Sequence, residues 1–453
     1  MIAYEFYYLA IIPFVLVIVF MAFFNLDKLM WFVVFSTPLS LNLEELDIGG
    51  IGMYLPTEPL MFGIMILFFL KLIHSPTLDM KIITHPVTLA IFINLVWIFI
   101  TSMTSEMPVV SFKFLLARLW FVVCFYFIAI QLFKITSNYK IYLWAYLIPL
   151  SFVVIYSFIR LAGYGFQEKP AHWVMQPFFK DHTSYGAILA MYFPFLFLFT
   201  GKSYPNYYKI CSVLLIGIFS VGLIFSYTRA AWVSLIAAFI LFLIYKYRVK
   251  FKVLLIVGVL GVIMLLFSWN SIIMSLERNN QDSSNNLSEH VESISNVSTD
   301  ASNLERLNRW SSAWRMFKER PFFGWGPGTY VFQYAPFQLS NEATIISTNA
   351  GENGNAHSEY IGPLAESGVI GSLSIILIIV LVYYRGSLLY HKLPKGELKN
   401  VVLATLLGLL TYVVHGLMNN YLDTDKASVP FWGFIALIVA IDIYHNKSLD
   451  SKT

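Results

Sequence analysis

Charged residues are scarce in this chain. Only 12% of its 453 residues are Asp, Glu, Lys or Arg, and 58% are hydrophobic, whereas soluble domains carry about 25% charged residues. Because so little charge excludes one or several soluble domains, the composition predicts a protein embedded in a lipid bilayer. The formal net charge of +4 then reports orientation in that bilayer, and we expect no nucleic-acid partner.

Several patterns that carry known chemistry are also absent. The two cysteines, Cys124 and Cys211, lie within apolar runs and are interpreted as structural thiols, which excludes a disulfide framework or a cysteine-based zinc site. The sequence has no His-Glu-x-x-His motif, no Walker loop and no nucleophile elbow. It also lacks a repeat of fixed period and the paired broken helices that are typical of inverted-repeat transporters.

Long apolar runs predict the membrane spans, because a helix needs about 20 apolar residues to cross the hydrocarbon core. Thirteen runs qualify, and a count of twelve stays open because the second is short and contains Pro38. The fold class is therefore an all-α polytopic membrane bundle of 12 or 13 helices. The first run lacks a small-residue cleavage site, so we expect it to be retained. The runs are 5–24, 29–42, 59–75, 86–103, 112–132, 140–160, 184–200, 208–226, 230–246, 252–269, 360–384, 398–418 and 427–445.

The connections between these runs alternate in charge. Connections rich in Lys and Arg stay in the cytoplasm, and every second connection is of this kind; the intervening ones are acidic or mixed and are expected to face outward. Thirteen spans would put the N-terminus outside and the C-terminus inside, and twelve would put both inside. The basic residues are Lys71, Lys81, Lys134, Lys140, Lys202, Lys209, Lys246, Arg248, Lys250, Lys252, Arg385, Lys392, Lys395 and Lys399.

One outward connection, residues 270–356, is far longer than the others. It divides the chain into transmembrane helices 1–10 in residues 1–269, the loop itself, and C-terminal transmembrane helices in residues 357–453. The first part of the loop, 279–303, is rich in Ser, Asn, Asp and Glu, a composition typical of a flexible segment.

The second part of the loop predicts an amphipathic helix over 304–320. Ser302 and Glu305 have the spacing of a capping box, and Pro321 is expected to end the helix. A glycine-rich turn, Gly324–Gly328, follows and requires flexible backbone close to another part of the protein. The apolar stripe recurs at helical intervals, at Leu304, Leu307, Trp310, Trp314 and Phe317.

Four arginines of the loop helix, Arg306, Arg309, Arg315 and Arg320, allow two interpretations. In the first, they meet lipid phosphates at the membrane surface. In the second, a guanidinium binds a pyrophosphate, a task that suits its planar and permanently charged fork. A further arginine, Arg229, lies between two spans with almost no connection, where it should face a protein cavity or the interface, or else extend to the membrane surface from a helix end.

Three histidines lie at the outward ends of spans. His357 directly follows the loop, and a neutral imidazole there can take a proton from a hydroxyl, although a structural role is the alternative. His182 and His415 can each be hydrogen-bonded core residues or substrate contacts. For Arg118, an isolated arginine within a span, the structural interpretation of a side chain extending to the surface is preferred.

Three groups of residues carry a resemblance to a known family. They are His357-Ser358 with Gly368-x-x-Gly371, then Arg306-Leu307-x-x-Trp310 with Pro321-x-x-Gly324-x-Gly326-x-Gly328, and Arg229 at the outer end of its span. In this order and on one predicted side, they resemble the O-antigen ligase and polymerase family, which also includes protein O-oligosaccharyltransferases and exopolysaccharide polymerases. The motifs cover residues 226–371, with further support from Asp181–Gly186. Arg306 matches the loop arginine because it precedes Leu-x-x-Trp.

The resemblance implies a membrane glycosyltransferase of the C type in the bacterial inner membrane, with its active site facing the periplasm. The donor would be a glycan on undecaprenyl pyrophosphate. Arg229 and Arg306 would stabilise the charge that develops on the pyrophosphate, and His357 would be the general base for the acceptor hydroxyl, with inversion at the anomeric carbon. Arginines would replace a divalent ion, so no metal and no cofactor are expected. Further substrate-binding residues would be Arg309, Arg315, His182 and His415.

The acceptor stays open. Ligation of O-antigen to lipid A-core, a step of lipopolysaccharide biosynthesis, is our first interpretation, because the chain has one large outer loop and no added soluble domain. A glycan acceptor (O-antigen or exopolysaccharide polymerase) and a protein Ser or Thr are the alternatives. A lipid-linked sugar flippase is the main non-enzyme alternative and should place its charges along a cavity that reaches both faces. A structural scaffold would leave the one-sided grouping of Arg229, Arg306 and His357 unexplained.

Overall fold

The chain folds into a bundle of helices. The computed structural model describes residues 12–43, 52–75, 79–249, 301–339 and 354–446. Within these ranges one antiparallel strand pair, β1 (Leu41–Asn42) and β2 (Tyr54–Leu55), interrupts an otherwise helical chain. The predicted all-α membrane bundle is therefore confirmed.

The helices are numbered in chain order. They are α1 (Ile12–Phe24), α2 (Leu26–Ser36), α3 (Thr57–His74), α4 (Met80–Ile83), α5 (Pro86–Met103), α6 (Pro108–Leu132), α7 (Asn138–Gly163), α8 (Glu168–Ala171), α9 (His182–Phe199), α10 (Asn206–Phe225), α11 (Arg229–Tyr247), α12 (Ala301–Glu319), α13 (Tyr330–Gln333), α14 (Ile361–Lys392), α15 (Glu397–His415) and α16 (Asp425–His445). Short 3-10 turns at Thr37–Leu39 and Ala335–Phe337 follow α2 and α13. Helix α6 contains a π-helical stretch at Val123–Ile128, and α16 ends in one at Ile441–His445.

Ten of these helices in the described ranges are long and apolar enough to cross a membrane, and they coincide with ten of the thirteen predicted runs. The run 5–24 is described only from Ile12, as α1. The run 29–42 is a correction: α2 has 11 residues and ends at Ser36, about 16 Å of helix, because Pro38 interrupts the ladder of hydrogen bonds. The run 252–269 lies outside the described residues.

Two helices form the centre of the bundle. In α16 and α9, 83% and 78% of the apolar window is buried, against 17% in α11, which lies at the rim. Close approach of α9 and α15 depends on Gly408, where a Cβ atom would lie 2.6 Å from the carbonyl oxygen of Met191. Small residues allow such contacts between membrane helices, since apolar side chains gain little there from the hydrophobic effect. The close contact between α9 and α15 thus fixes the position of these two helices relative to each other.

The two ends of the bundle differ in charge. At one end, here the basic end, lie the predicted cytoplasmic lysines and arginines of the described residues, at the junctions α3/α4, α6/α7, α9/α10 and α14/α15. Ion pairs tie this end together: Arg385 Nη2 lies 2.6 Å and His85 Nε2 3.2 Å from Asp442 Oδ2. The opposite end, here the loop end, holds α12, the start of α14 and the junction α15/α16. The candidate site lies at the loop end.

Candidate functional site

A break in α14 receives the long loop. Gly368 has φ +68° and ψ −170°, so the helix is interrupted there, and nearby carbonyl groups lose their helical partners. Protein groups from elsewhere replace them. The backbone N–H groups of Trp325 and Gly326 donate to the carbonyls of Ala365 (3.1 Å) and Glu366 (2.7 Å), and the indole of Trp97 donates to Ser367 (2.7 Å). The carbonyl groups of residues 365–367 therefore have hydrogen-bond partners despite the break.

The glycine-rich turn fits this break because its glycines have no side chains at the points of contact. A Cβ atom on Gly324, which has φ +67°, would overlap the carbonyl group of Glu366, and one on Gly368 would overlap that of Phe322. The amide of Val369 donates to Pro321 at 2.9 Å. The glycine-rich turn Gly324–Gly328 and the Gly368-x-x-Gly371 motif, which are separate in sequence, are thus packed against each other.

This contact predicts the effect of Gly324→Ala. A side chain in the left-handed region costs about 1–2 kcal/mol, and the overlap with Glu366 adds to that cost, so we expect trypsin to cleave after Lys318 at least about tenfold faster. Gly217→Ala is the matched control, since nothing lies within 4 Å of a Cβ there. Equal cleavage rates in both variants would contradict the proposed packing.

The loop helix α12 matches the prediction in position and in its end before Pro321, and it includes residues 301–303, which were assigned to the flexible segment. The rest of that segment lies outside the described residues. The capping box is a correction: Ser302 lies within the helix, and Glu305 pairs with Arg309 at 2.8 Å. A buried guanidinium one turn away attracts the carboxylate more strongly than a helix terminus does.

Three loop arginines have contacts that hold the loop. Arg309 is 6% exposed and lies over the Tyr334 ring at 4.5 Å. Arg315 Nε donates to the carbonyl of Phe337 at 2.6 Å. Arg320 pairs with Glu106 at 2.5 Å and covers the indole of Trp325 at 4.1 Å. These contacts fold the loop onto itself and onto the α5/α6 junction.

Arg306 is placed differently. It is half-buried on α12, and its charge acts on all three candidate histidines, His357, His182 and His415. These histidines come from the end of the loop, the start of α9 and the end of α15. The structure thus places these four predicted site residues at the loop end, with the three histidines within electrostatic range of the Arg306 charge.

His357 occupies a constrained backbone position. Its φ is +47°, and its N–H donates to the side chain of Asn355 at 3.0 Å. The next residues anchor it on both sides: Ser358 Oγ accepts from the first amides of α14 at 3.3 Å, and Glu359 accepts from Tyr412 and from the amides of residues 421 and 422 at 2.6 to 2.9 Å. Such strain is found mainly where the surrounding structure fixes a functional residue.

The His357 imidazole is suited to accept a proton. Among the described residues, no group lies within hydrogen-bond distance of either ring nitrogen. Burial and the neighbouring Arg306 and Arg309 charges lower its pKa to about 4. Because the pKa is lowered, the ring is neutral at pH 7, and an approaching hydroxyl meets an unprotonated nitrogen.

The turn that precedes Arg229 is hydrogen-bonded to His182. The α10/α11 turn contains Tyr227 at φ +50°, and it is bonded to α9, since Thr228 Oγ1 donates to the carbonyl of His182 at 2.8 Å and His182 Nδ1 lies 2.7 Å from the carbonyl oxygen of Ser226. Arg229, the first residue of α11, directly follows this bonded turn. A Cβ atom on Gly186 would lie 2.8 Å from Thr228, so this junction also depends on a close approach.

His415 is the most enclosed of the three histidines. It is 1% exposed, and its Nε2 lies 3.1 Å from Asn419 Nδ2. Its ring centroid is 6.0 Å from that of Tyr421. These contacts match the hydrogen-bonded core residue that was one of the two interpretations for His415.

Some residues at this end were not singled out from the sequence. His172 stacks on His182 with ring centroids 4.2 Å apart. Asp181 caps α9, its carboxylate accepting from Ser184 N at 2.7 Å, which the Asp-x-x-Ser spacing signals.

For Arg118 the preferred interpretation is wrong: the side chain is 6% exposed inside the bundle and does not extend to the membrane surface.

Comparisons with known proteins agree with the motifs. Residues 211–376 match a family model described as O-antigen ligase, a range that contains Arg229, Arg306 and His357. No match was found among the curated proteins. In the described part of the chain, no group of three His, Cys, Asp or Glu residues could hold a metal ion.

Proposed function

On the premise that the chain is similar to the O-antigen ligase family over residues 211–376, we propose that it is a metal-independent, inverting glycosyltransferase. It transfers a glycan from undecaprenyl pyrophosphate to an acceptor hydroxyl, with O-antigen ligation to lipid A-core as the preferred reaction. The observation that carries the proposal is the position of three histidines at the loop end within electrostatic range of Arg306, with the turn before Arg229 bonded to one of them.

The proposed step forms one bond and breaks one. The acceptor oxygen attacks the anomeric carbon, the bond from that carbon to the pyrophosphate oxygen breaks, and the hydroxyl proton passes to His357 Nε2 or Nδ1. The electron pair of the broken bond stays on the pyrophosphate, whose charge Arg229 and Arg306 stabilise. Attack from the side opposite the leaving group inverts the anomeric carbon.

The orientation of the site follows from the charge of the bundle. Basic connections remain in the cytoplasm, and the described basic residues of this kind gather at the end away from α12. We therefore place the loop end in the periplasm of a bacterial inner membrane. Arg229, Arg306 and His357 lie at this one end, whereas a flippase would require polar groups that continue to the other end.

Deletion of the gene tests the reaction and the acceptor. Loss of all polymer on lipid A, with carrier-linked polymer retained, identifies a ligase. A single repeat unit on lipid A identifies a polymerase, and loss of glycan from proteins identifies a protein oligosaccharyltransferase. Unchanged surface glycans and unchanged carrier-linked pools would overturn the proposal.

The lowered pKa of His357 predicts an unusual pH profile. A histidine of ordinary pKa is only about one-tenth neutral at pH 5.5, whereas His357, with a pKa of about 4, stays neutral there. We expect kcat/KM for the donor, at saturating acceptor, to remain within about twofold from pH 7.5 to 5.5 and to fall only as the pH approaches 4.

One neighbour titrates inside this window and needs a control. Burial and the nearby Glu359 raise the pKa of Asp423 to about 6, so the profile is measured in Asp423→Asn as well. An acid limb near pH 6.5 that persists in this variant would contradict the assignment of His357 as a base of lowered pKa.

A further inference from the structure

A partly open cavity lies beside the proposed catalytic residues. Its volume is about 120 Å³, and it is lined by α5, α6, α14, the residues around Tyr330, and the α15/α16 junction. A cavity of about 150 Å³ holds one benzene ring, so the enclosed space receives only part of a sugar ring and the open side leaves room for the remainder. Arg229, Arg306 and His357 do not line it, but Asn355 and Ser358, which flank His357, do.

Arg118 is the exceptional residue in this wall. It is 6% exposed, and its guanidinium lies 5.4 Å from the Phe114 ring centroid and 5.9 Å from that of Trp432. Within the described ranges no oxygen lies at hydrogen-bond or ion-pair distance from it. A buried guanidinium without such partners is costly inside a membrane protein, which indicates that its N–H groups serve a ligand.

The cavity also offers acceptors. The Asn420 side-chain oxygen is buried and has no hydrogen-bond partner among the described residues. Asp423 also lines the cavity. Glu366 also lines the cavity, and its carboxylate accepts from the amide of Tyr330 at 3.1 Å. An arginine without a hydrogen-bond partner thus lines the same cavity as an amide oxygen without one and two carboxylates, all within the described residues.

These groups select the class of ligand. Three carboxylates, from Glu359, Glu366 and Asp423, disfavour an anion, and Arg118 disfavours a cation. A neutral ring with several hydroxyl groups satisfies both, because each hydroxyl accepts from the guanidinium or donates to a carboxylate or amide oxygen. Phe114 and Tyr330 provide apolar contact for the C–H faces of such a ring.

We propose that this cavity binds the acceptor sugar, with Arg118, Asn420 and Asp423 as the residues that determine acceptor specificity. The proposal rests on the proposed glycosyl transfer and adds the position of the acceptor: the cavity adjoins the segment that carries His357, so a sugar held there presents a hydroxyl to the base. Arg118 acts by positioning and takes no part in the proton transfer.

The test separates acceptor binding from catalysis. We expect Arg118→Met and Asp423→Asn to raise the acceptor KM at least tenfold, with the donor KM within about twofold of wild type. Arg248→Met, at an exposed position of the basic end, is the control. Because Arg118 makes no hydrogen bond or ion pair with the described residues, Arg118→Met should melt within a few degrees of wild type, whereas loss of a purely structural arginine would lower the melting temperature in step with activity.

Direct binding provides a readout that needs no activity. The purified full chain in lipid nanodiscs is titrated with two probes: core oligosaccharide released from the host's own lipopolysaccharide, and the repeat-unit oligosaccharide. We expect one probe to raise the melting temperature saturably in wild type and in His357→Ala, but not in Arg118→Met. Transfer with an unchanged acceptor KM and an unchanged thermal shift in Arg118→Met and Asp423→Asn would overturn the sugar site while leaving the proposed function standing. Binding without any transfer would overturn the function alone.

Discussion

Replacement of His357 by alanine is expected to lower glycan transfer by about 10²–10⁴-fold, the contribution typical of a general base. Donor binding should be retained, because the residues proposed to bind the donor are Arg229 and Arg306. The measurement is single-turnover transfer from a purified lipid-linked donor, together with the donor dissociation constant. Full activity of His357→Ala would eliminate the general-base assignment.

The backbone at His357 calls for a second variant. Its φ of +47° is tolerated by Asn better than by Ala, so His357→Asn removes the base with little added strain. We expect both variants to lose activity and His357→Asn to keep the melting temperature of wild type. His74→Ala, an exposed histidine at the basic end, is the matched control. Recovery of activity in His357→Asn would attribute the alanine effect to backbone strain.

Arg306→Met is expected to lower transfer by about 10²–10³-fold, the range that accompanies loss of one group stabilising transition-state charge. Arg306→Lys should recover part of this, since it retains the charge and loses the bidentate geometry. A further consequence is specific to this arrangement. The Arg306 charge lowers the pKa of His357, so the residual activity of Arg306→Met should show an acid limb at higher pH than wild type.

Arg309 is the control for this experiment. It lies three residues away on the same helix, and it is buried against Glu305 and Tyr334. We expect Arg309→Met to lower the melting temperature and to increase protease cleavage of the loop. Arg306→Met should lower transfer by a larger factor than Arg309→Met does, with a smaller loss of stability. If the two variants lose activity and stability in the same proportion, Arg306 is a structural residue.

The membrane helices could be predicted from sequence because each depends on a continuous apolar run of its own. The predicted runs give the N-termini of α5 and α14 to within a few residues, and Pro321 marks the end of α12. The run 29–42 fails for a local reason, since Pro38 shortens α2. Arg306, His357 and Arg229 were singled out because rare charged residues stand out in an apolar chain.

The roles of the other arginines could not be predicted, because they depend on partners far away in sequence. Arg315 donates to a carbonyl 22 residues later, and Arg320 pairs with a glutamate 214 residues earlier. The two glycine motifs were recognised separately, but no local pattern shows that one fills the break in the other. Arg118 is the clearest case: only packing from five segments reveals that it borders a cavity.

Helix α11 leaves most of its length to the lipid, with only 17% of its apolar window buried, and it begins at Arg229. A donor carried on a polyprenyl chain is dissolved in the bilayer, so it can approach along this face while its pyrophosphate stays at the depth of the helix start. The donor then finds the site by diffusing in the plane of the membrane. The rate of donor capture should consequently scale with the mole fraction of donor in the membrane, whatever the volume of the surrounding solution.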